Sequence, residues 1–136
     1  MTASPVTALR AAIRNALLAD ATLTAMLGGP NVFDEAPRSV NPPYVTFGDA
    51  LWRDLSTRSD TGAEQFVLVN AWSLQRGRHE ALDIATRVLA LIQDQPLVLT
   101  GFNLVNLRLV SMETRREHNG RFARASLKLR AYTEAL

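Results

Sequence analysis

The sequence predicts an α+β fold, with about four to five strands in an antiparallel or mixed sheet and helices packed mainly on one face. Three observations carry this. Residues 121–133 alternate apolar and polar side chains with the period of a half-buried strand. Residues 77–94 repeat apolar side chains at helical spacing. The predicted elements run helix, strands, helix, strands. At 136 residues, the chain is read as one domain, 1–136, long enough for its own core.

The first predicted element is a helix. Ser4 is suited to its N-cap and Pro5 to its first position, and Val6, Leu9, Ile13 and Leu17 form one apolar stripe. Asp20 can cap a second short turn carrying Leu23, Met26 and Leu27. Gly28-Gly29-Pro30 ends it, because glycine permits a left-handed cap and proline cannot continue a helix.

Asn31 to Glu35 reads as a short extended segment, and Pro37, Pro42 and Pro43 surround a loop. Tyr44 to Asp49 is a strand by its aromatic and β-branched content. Asp49 to Gly62 is polar and reads either as a long hairpin arm or as a mobile loop. Glu64 to Ser73 is the predicted central strand. Phe66, Leu68 and Trp72 alternate with Val67, Val69 and Ala71, so both faces are apolar and cover on both is expected. Trp72 is assigned to the core, and Asn70 requires hydrogen-bond partners if buried.

In the main helix, Leu82, Ala85, Val88, Leu89 and Ile92 form the apolar stripe, and Glu80 and Asp83 oppose the positive end of the helix dipole. Leu104 to Glu117 is a strand in which Val105, Leu107 and Leu109 share a face. Arg121 to Thr133 is its partner, with Ala123, Ala125, Leu127, Leu129 and Ala131 facing one way and Arg124, Ser126, Lys128, Arg130 and Tyr132 the other. Asn119-Gly120 between them is a strong hairpin signal.

Composition narrows the function. There is no cysteine, which excludes a disulfide-stapled fold, a thiolate metal site and a cysteine nucleophile. The N-terminus does not read as a signal peptide, since Arg10 and Arg14 interrupt its apolar residues. The longest apolar run, Val88 to Ile92, is far short of the roughly 20 residues of a membrane span, so a soluble protein is expected. Net charge is +2. From Gly101 onward seven basic residues accompany three acidic ones, a net +4 that leaves −2 for the first hundred residues.

No catalytic constellation emerges. His79 and His118 are isolated and read as solvated, without metal-ligand spacing. Ser73 lies in no nucleophile elbow. Asp34 and Glu35 are adjacent on an extended segment and so face apart. Gly28-Gly29 is a helix stop, not a phosphate loop. No enzyme activity, cofactor or metal is expected.

Two clusters remain as candidate interaction sites. Arg115, Arg116, Arg121, Arg124, Lys128 and Arg130 form a basic stripe and hairpin end. It can track phosphates without reading bases, although a solvated sheet face or ion pairs to a neighbouring subunit explain it more simply. Trp52, Arg53, Asp54, Arg58 and Asp60 form the candidate interface loop. An exposed Trp52 would anchor an interface, whereas a buried one would cap the sheet edge.

The segments LRAAIRNALLADATLTAMLGG, NVFDEAP, PPYVTFGD, FVLVNAWSLQRGRHEALDIATRVLALI and the closing LRAYTE together resemble the tail-completion, or tail-terminator, family of siphovirus-like phages, prophages and gene transfer agents. The resemblance spans nearly the whole chain. Its most specific pieces are Pro43-Tyr44-Val45 with Phe47-Gly48, Trp72-Ser73 with Arg76-Gly77, and Arg130-Ala131-Tyr132.

The resemblance implies a structural virion protein at the tail–neck junction, assembled in the bacterial host cytoplasm. It implies a ring, in the family a hexamer, that caps the tail tube, ends its polymerisation and meets the head connector. DNA crosses the lumen without sequence recognition. Partners would be further copies of the chain, the tail-tube protein, the head-connector or neck protein and DNA, with no membrane. Alternatives are a neck or head-closure protein and a small non-specific nucleic-acid-binding module.

Overall fold

The computed structural model describes residues 4–136. Helices α1 (Pro5–Leu18) and α2 (Ala21–Leu27) come first, followed by strands β1 (Val32–Phe33), β2 (Tyr44–Asp54) and β3 (Gly62–Ser73). Helix α3 (His79–Ile92) and strands β4 (Phe102–Glu117) and β5 (Phe122–Ala135) complete the order. The five strands form one sheet, β1-β2-β3-β5-β4. β1 runs parallel to β2 and every other neighbour is antiparallel, so the sheet is mixed and the fold is α+β as expected.

The helix ends follow local chemistry. The Ser4 side chain accepts from the Thr7 amide at 3.0 Å, and the Asp20 side chain accepts from the Leu23 amide at 2.9 Å. Gly28 takes the left-handed conformation, φ 73, that closes α2. Asp20 does more than cap, since the Arg87 guanidinium of α3 grips both its oxygens at 2.9 and 2.7 Å. One carboxylate therefore starts α2 and ties it to α3. No helix among the described residues is long and apolar enough to cross a membrane.

The core lies between the helices and one face of the sheet. Leu9, Ile13 and Leu17 of α1, Leu23 and Leu27 of α2, and Ile84, Val88 and Ile92 of α3 meet Val67, Val69, Ala125, Leu127 and Leu129 of the central strands. Each large aliphatic side chain buried there contributes roughly 1.5–3 kcal/mol. In α3 the fully buried stripe is Ala81, Ile84, Ala85, Val88 and Ile92. Leu82 and Leu89, included in the stripe by the sequence reading, pack half-buried on its flanks.

One open reading is decided by the sheet and two expectations are corrected. β2 runs to Asp54 and β3 begins at Gly62, so the first part of the polar stretch is a hairpin arm, one of its two readings, and Leu55–Thr61 connects the strands. Trp72 is not in the helix–sheet core. It lies half-buried on the opposite face, because its strand neighbours Ala71 and Ser73 take the helix side. Val105 does not share a face with Leu107. The pairing shifts between Leu104 and Asn106, and this bulge turns Val105 outward, 50% exposed, while Leu107 is buried.

The last hairpin turns at Asn119-Gly120, with φ 58 and 83, and is closed by the Arg121 amide donating to the His118 carbonyl at 3.2 Å. Positive φ at both central residues is what a type I′ turn requires. His118 also adopts positive φ, 56, which the sequence signal did not foretell.

Candidate functional site

Helices cover only one face of the sheet. On the other, cross-strand rows place Tyr44, Trp72, Arg124 and Arg115 side by side, then Thr46, Asn70, Ser126 and Glu113. Farther along the strands, Leu68 is level with Lys128 and Ser111, and Leu51 and Phe66 are level with Arg130 and Arg108. Apolar cover on both faces was expected for β3, but Phe66, Leu68 and Trp72 remain half-buried and have no helix above them.

The cations of β5 lie on the aromatic side chains of this face. Arg124 sits 5.6 Å from the Trp72 ring centre, Lys128 5.1 Å from Phe66, and Arg130 6.0 Å from Tyr132. Cation–π contact and shared exclusion of water favour this layering. Arg124 also pairs with Glu117 at 3.1 Å. Arg130 pairs with Glu64 at 2.6 Å, and Arg53 approaches the same carboxylate at 3.7 Å. Glu64 is buried, with its side chain only 9% exposed, so two arginines neutralise a charge that would otherwise be costly there.

The six predicted basic residues do not form one surface. Arg115, Arg124, Lys128 and Arg130 share the open face. Arg121 lies at the turn, over Phe122 at 5.6 Å. Arg116 points to the helix side and donates to the Gln75 carbonyl at 3.3 Å, since consecutive strand residues face apart. Among the described residues, Arg115, Arg116, Arg121 and Lys128 form no ion pair, so four of the six predicted residues keep uncompensated charge.

Of the predicted interface loop, Trp52, Arg53 and Asp54 belong to β2, and only Arg58 and Asp60 stand in the connection. That connection is tied by its own bonds. The Thr57 amide donates to the Asp60 carbonyl at 2.7 Å and the Asp60 amide to Thr57 Oγ1 at 3.1 Å. Ser56 donates through its hydroxyl and its amide to Asp54, which holds that carboxyl below its ordinary value. Trp52 is 51% exposed. It borders an apolar groove of about 410 Å³ with Pro5, Ala63, Phe102 and Ala135.

Several polar groups on the open face are matched internally, whereas Arg124 Nε is buried without a hydrogen-bond partner. Ser126 Oγ donates to Asn70 Oδ1 at 2.6 Å, and Trp72 Nε1 donates to Thr46 Oγ1 at 2.9 Å. At the turn end, Tyr44, Trp72, Phe122 and His118 stack edge to face or tilted, with centroids 4.8–6.2 Å apart. They border a cleft of about 590 Å³ that also meets Asp34, Glu35, Arg38 and Arg121. His79 and His118 are exposed, and Ser73 donates to Glu80 at 2.7 Å. Among the described residues, no group of three His, Cys, Asp or Glu side chains could hold a metal. The open face is thus aromatic and cationic.

The mixed sheet thus presents one helical face and one aromatic–cationic face. A sequence profile of the family described as "Tail completion protein gp17" matches residues 11–134. The tail completion protein gp17 of Bacillus phage SPP1 is 31% identical over 101 residues, which is 74% of this chain and 75% of that one. A chain in the virion of a native gene transfer agent particle has a TM-score of 0.87 and 28% identity, covering 98% of this chain and 100% of its own. The chain therefore belongs to the tail completion protein gp17 family, whose members are structural proteins of phage-type virion tails.

Proposed function

We propose that this protein caps the tail tube, ends its polymerisation and forms the joint to the head connector, as a hexameric ring whose lumen conducts DNA. The observation that carries the reading is the near-full-length likeness to a chain of a virion particle. Its partners are then further copies of itself, the tail-tube protein, the head-connector or neck protein, and DNA contacted without base readout.

The open face supports a lumen or subunit contact, because Arg115 and Lys128 keep uncompensated positive charge there and Arg121 does so at the adjoining turn. Phosphates passing such cations are held by counterion exchange and released readily as salt rises.

The test is electron microscopy of particles from a strain that lacks the gene. Tails of uncontrolled length beside tailless heads are expected. Tails of normal length beside separate full heads would move the role to head closure, and normal joined particles would overturn the proposal.

A further inference from the structure

We infer that neighbouring copies in the ring join by antiparallel pairing of the β4 edge of one copy with the β2 edge of the next, with Arg115 opposite Asp49. The inference rests on the ring reading above and says how that ring closes.

The sheet has two unlike edges. On β4, the chain caps its own edge as far as Leu109. The Asp94 amide donates to the Leu107 carbonyl at 3.1 Å, and the Leu109 amide donates to Gln93 Oε1 at 2.9 Å. From Ser111 to Glu117, no backbone group on that edge has a partner among the described residues. On the other side, β1 covers only Val45 and Thr46, and the Arg10 guanidinium caps the Gly48 carbonyl. Asp49 to Asp54 is then free and exposed throughout. Two free edges of similar length thus stand at opposite ends of one sheet.

A closed ring needs such a heterologous pair of surfaces. The four long strands alternate in direction across the sheet. β2 of the next copy therefore meets β4 antiparallel, and the pattern continues without a break.

Charge sets the register. Within the chain, Arg115 lies directly opposite Arg124, and Arg108 directly opposite Arg130. Like charges so placed repel. Arg124 is relieved by Glu117, Arg130 by Glu64, and Arg108 lies 3.9 Å from Asp94. Arg115 alone of the four has no acid among the described residues, and its free side faces the next copy. Asp49 is likewise unpaired.

Setting Arg115 against Asp49 puts Glu113 opposite Leu51 and diagonal to Arg53. It also puts Met112 against Trp52, on the helix side of both strands. Every side chain keeps its face. Sliding by two residues either way keeps the faces but sets Glu113 or Glu117 against Asp49.

The chain has no cysteine, so engineered thiols report cleanly. Glu113→Cys with Leu51→Cys is supplied to the deletion strain, and tails are purified, mildly oxidised and run without reductant. A ladder of linked copies that is absent from each single variant and collapses on reduction is expected. Tails of controlled length that contain the chain but give monomer only would overturn the edge pairing and leave the ring reading standing. Linking instead through Glu113→Cys with Asp49→Cys or Arg53→Cys would overturn the register. Arg115→Glu and Asp49→Arg singly should lose tail capping and together regain it, and a double variant no better than the singles would also overturn the register. Wild-type tails without the chain would remove the ring reading and this inference together.

Discussion

Leu127→Ala tests the assignment of strand faces most directly. Leu127 is 1% exposed in the middle of β5, between Val69 of β3 and Met112 of β4, with the helices over its face. The substitution removes three carbons, about 2.4 kcal/mol of transfer free energy at about 0.8 per carbon. Strands on both sides limit collapse of the void, so a cavity cost is added and the total should fall at roughly 3–5 kcal/mol. Urea unfolding followed by tryptophan fluorescence measures it, with Trp72 on β3 beside β5 as the reporter. The melting temperature should drop by about 10–20 °C. Lys128→Ala, one residue along and on the open face, should cost under about 1 kcal/mol. A Leu127→Ala loss no larger than the Lys128→Ala loss would refute the assignment of faces.

Other perturbations probe separate parts of the fold. Gly120→Val forces a β-branched residue to φ 83 and should cost roughly 1–3 kcal/mol; an unchanged melting temperature would contradict the turn. Glu64→Gln removes the negative charge that Arg130 and Arg53 share and turns one acceptor oxygen into a donor, so it should destabilise by about 1–3 kcal/mol, measured by denaturant titration, whereas a gain in stability would mean that the buried charge is poorly compensated. Arg130→Glu sets a carboxylate beside Glu64, so it should lower the melting temperature as well as alter the stripe. Asp20 is held below its ordinary 3.8 chiefly by the Arg87 guanidinium, and also by the Leu23 amide. A lowered folded value adds stability that is present above pH 3.8 and lost as pH falls through the folded value. Arg87→Gln should therefore be less stable than wild type near neutrality, with the gap closing in acid; a gap independent of pH would refute the link.

How legible the candidate site was depends on the distance over which each part is specified. Arg124, Lys128 and Arg130 were assigned to one face by strict alternation, and that is where they lie. Alternation also separates Arg115 from Arg116, yet grouping them at one hairpin end ignored it. The sequence carries no local mark of Glu64 as the counter-charge of Arg130. It lies 66 residues from Arg130 and becomes its neighbour only because β5 inserts between β3 and β4. Trp72 was misplaced for a related reason: an apolar strand announces burial, but not which face its helices will cover.

By itself, the sequence determined the elements and their ends: the Ser4 and Asp20 caps, the Gly28 stop, the α3 stripe, the alternation of β5 and the Asn119-Gly120 turn. These depend on interactions within a few residues, where backbone sterics and side-chain period are decisive. Tertiary structure decided the strand order, the bulge that turns Val105 outward, the burial of Glu64, the bridge from Asp20 to Arg87 and the face left without helices. Each joins residues far apart in the chain, so the choice rests on how whole faces pack and which charges that packing brings together.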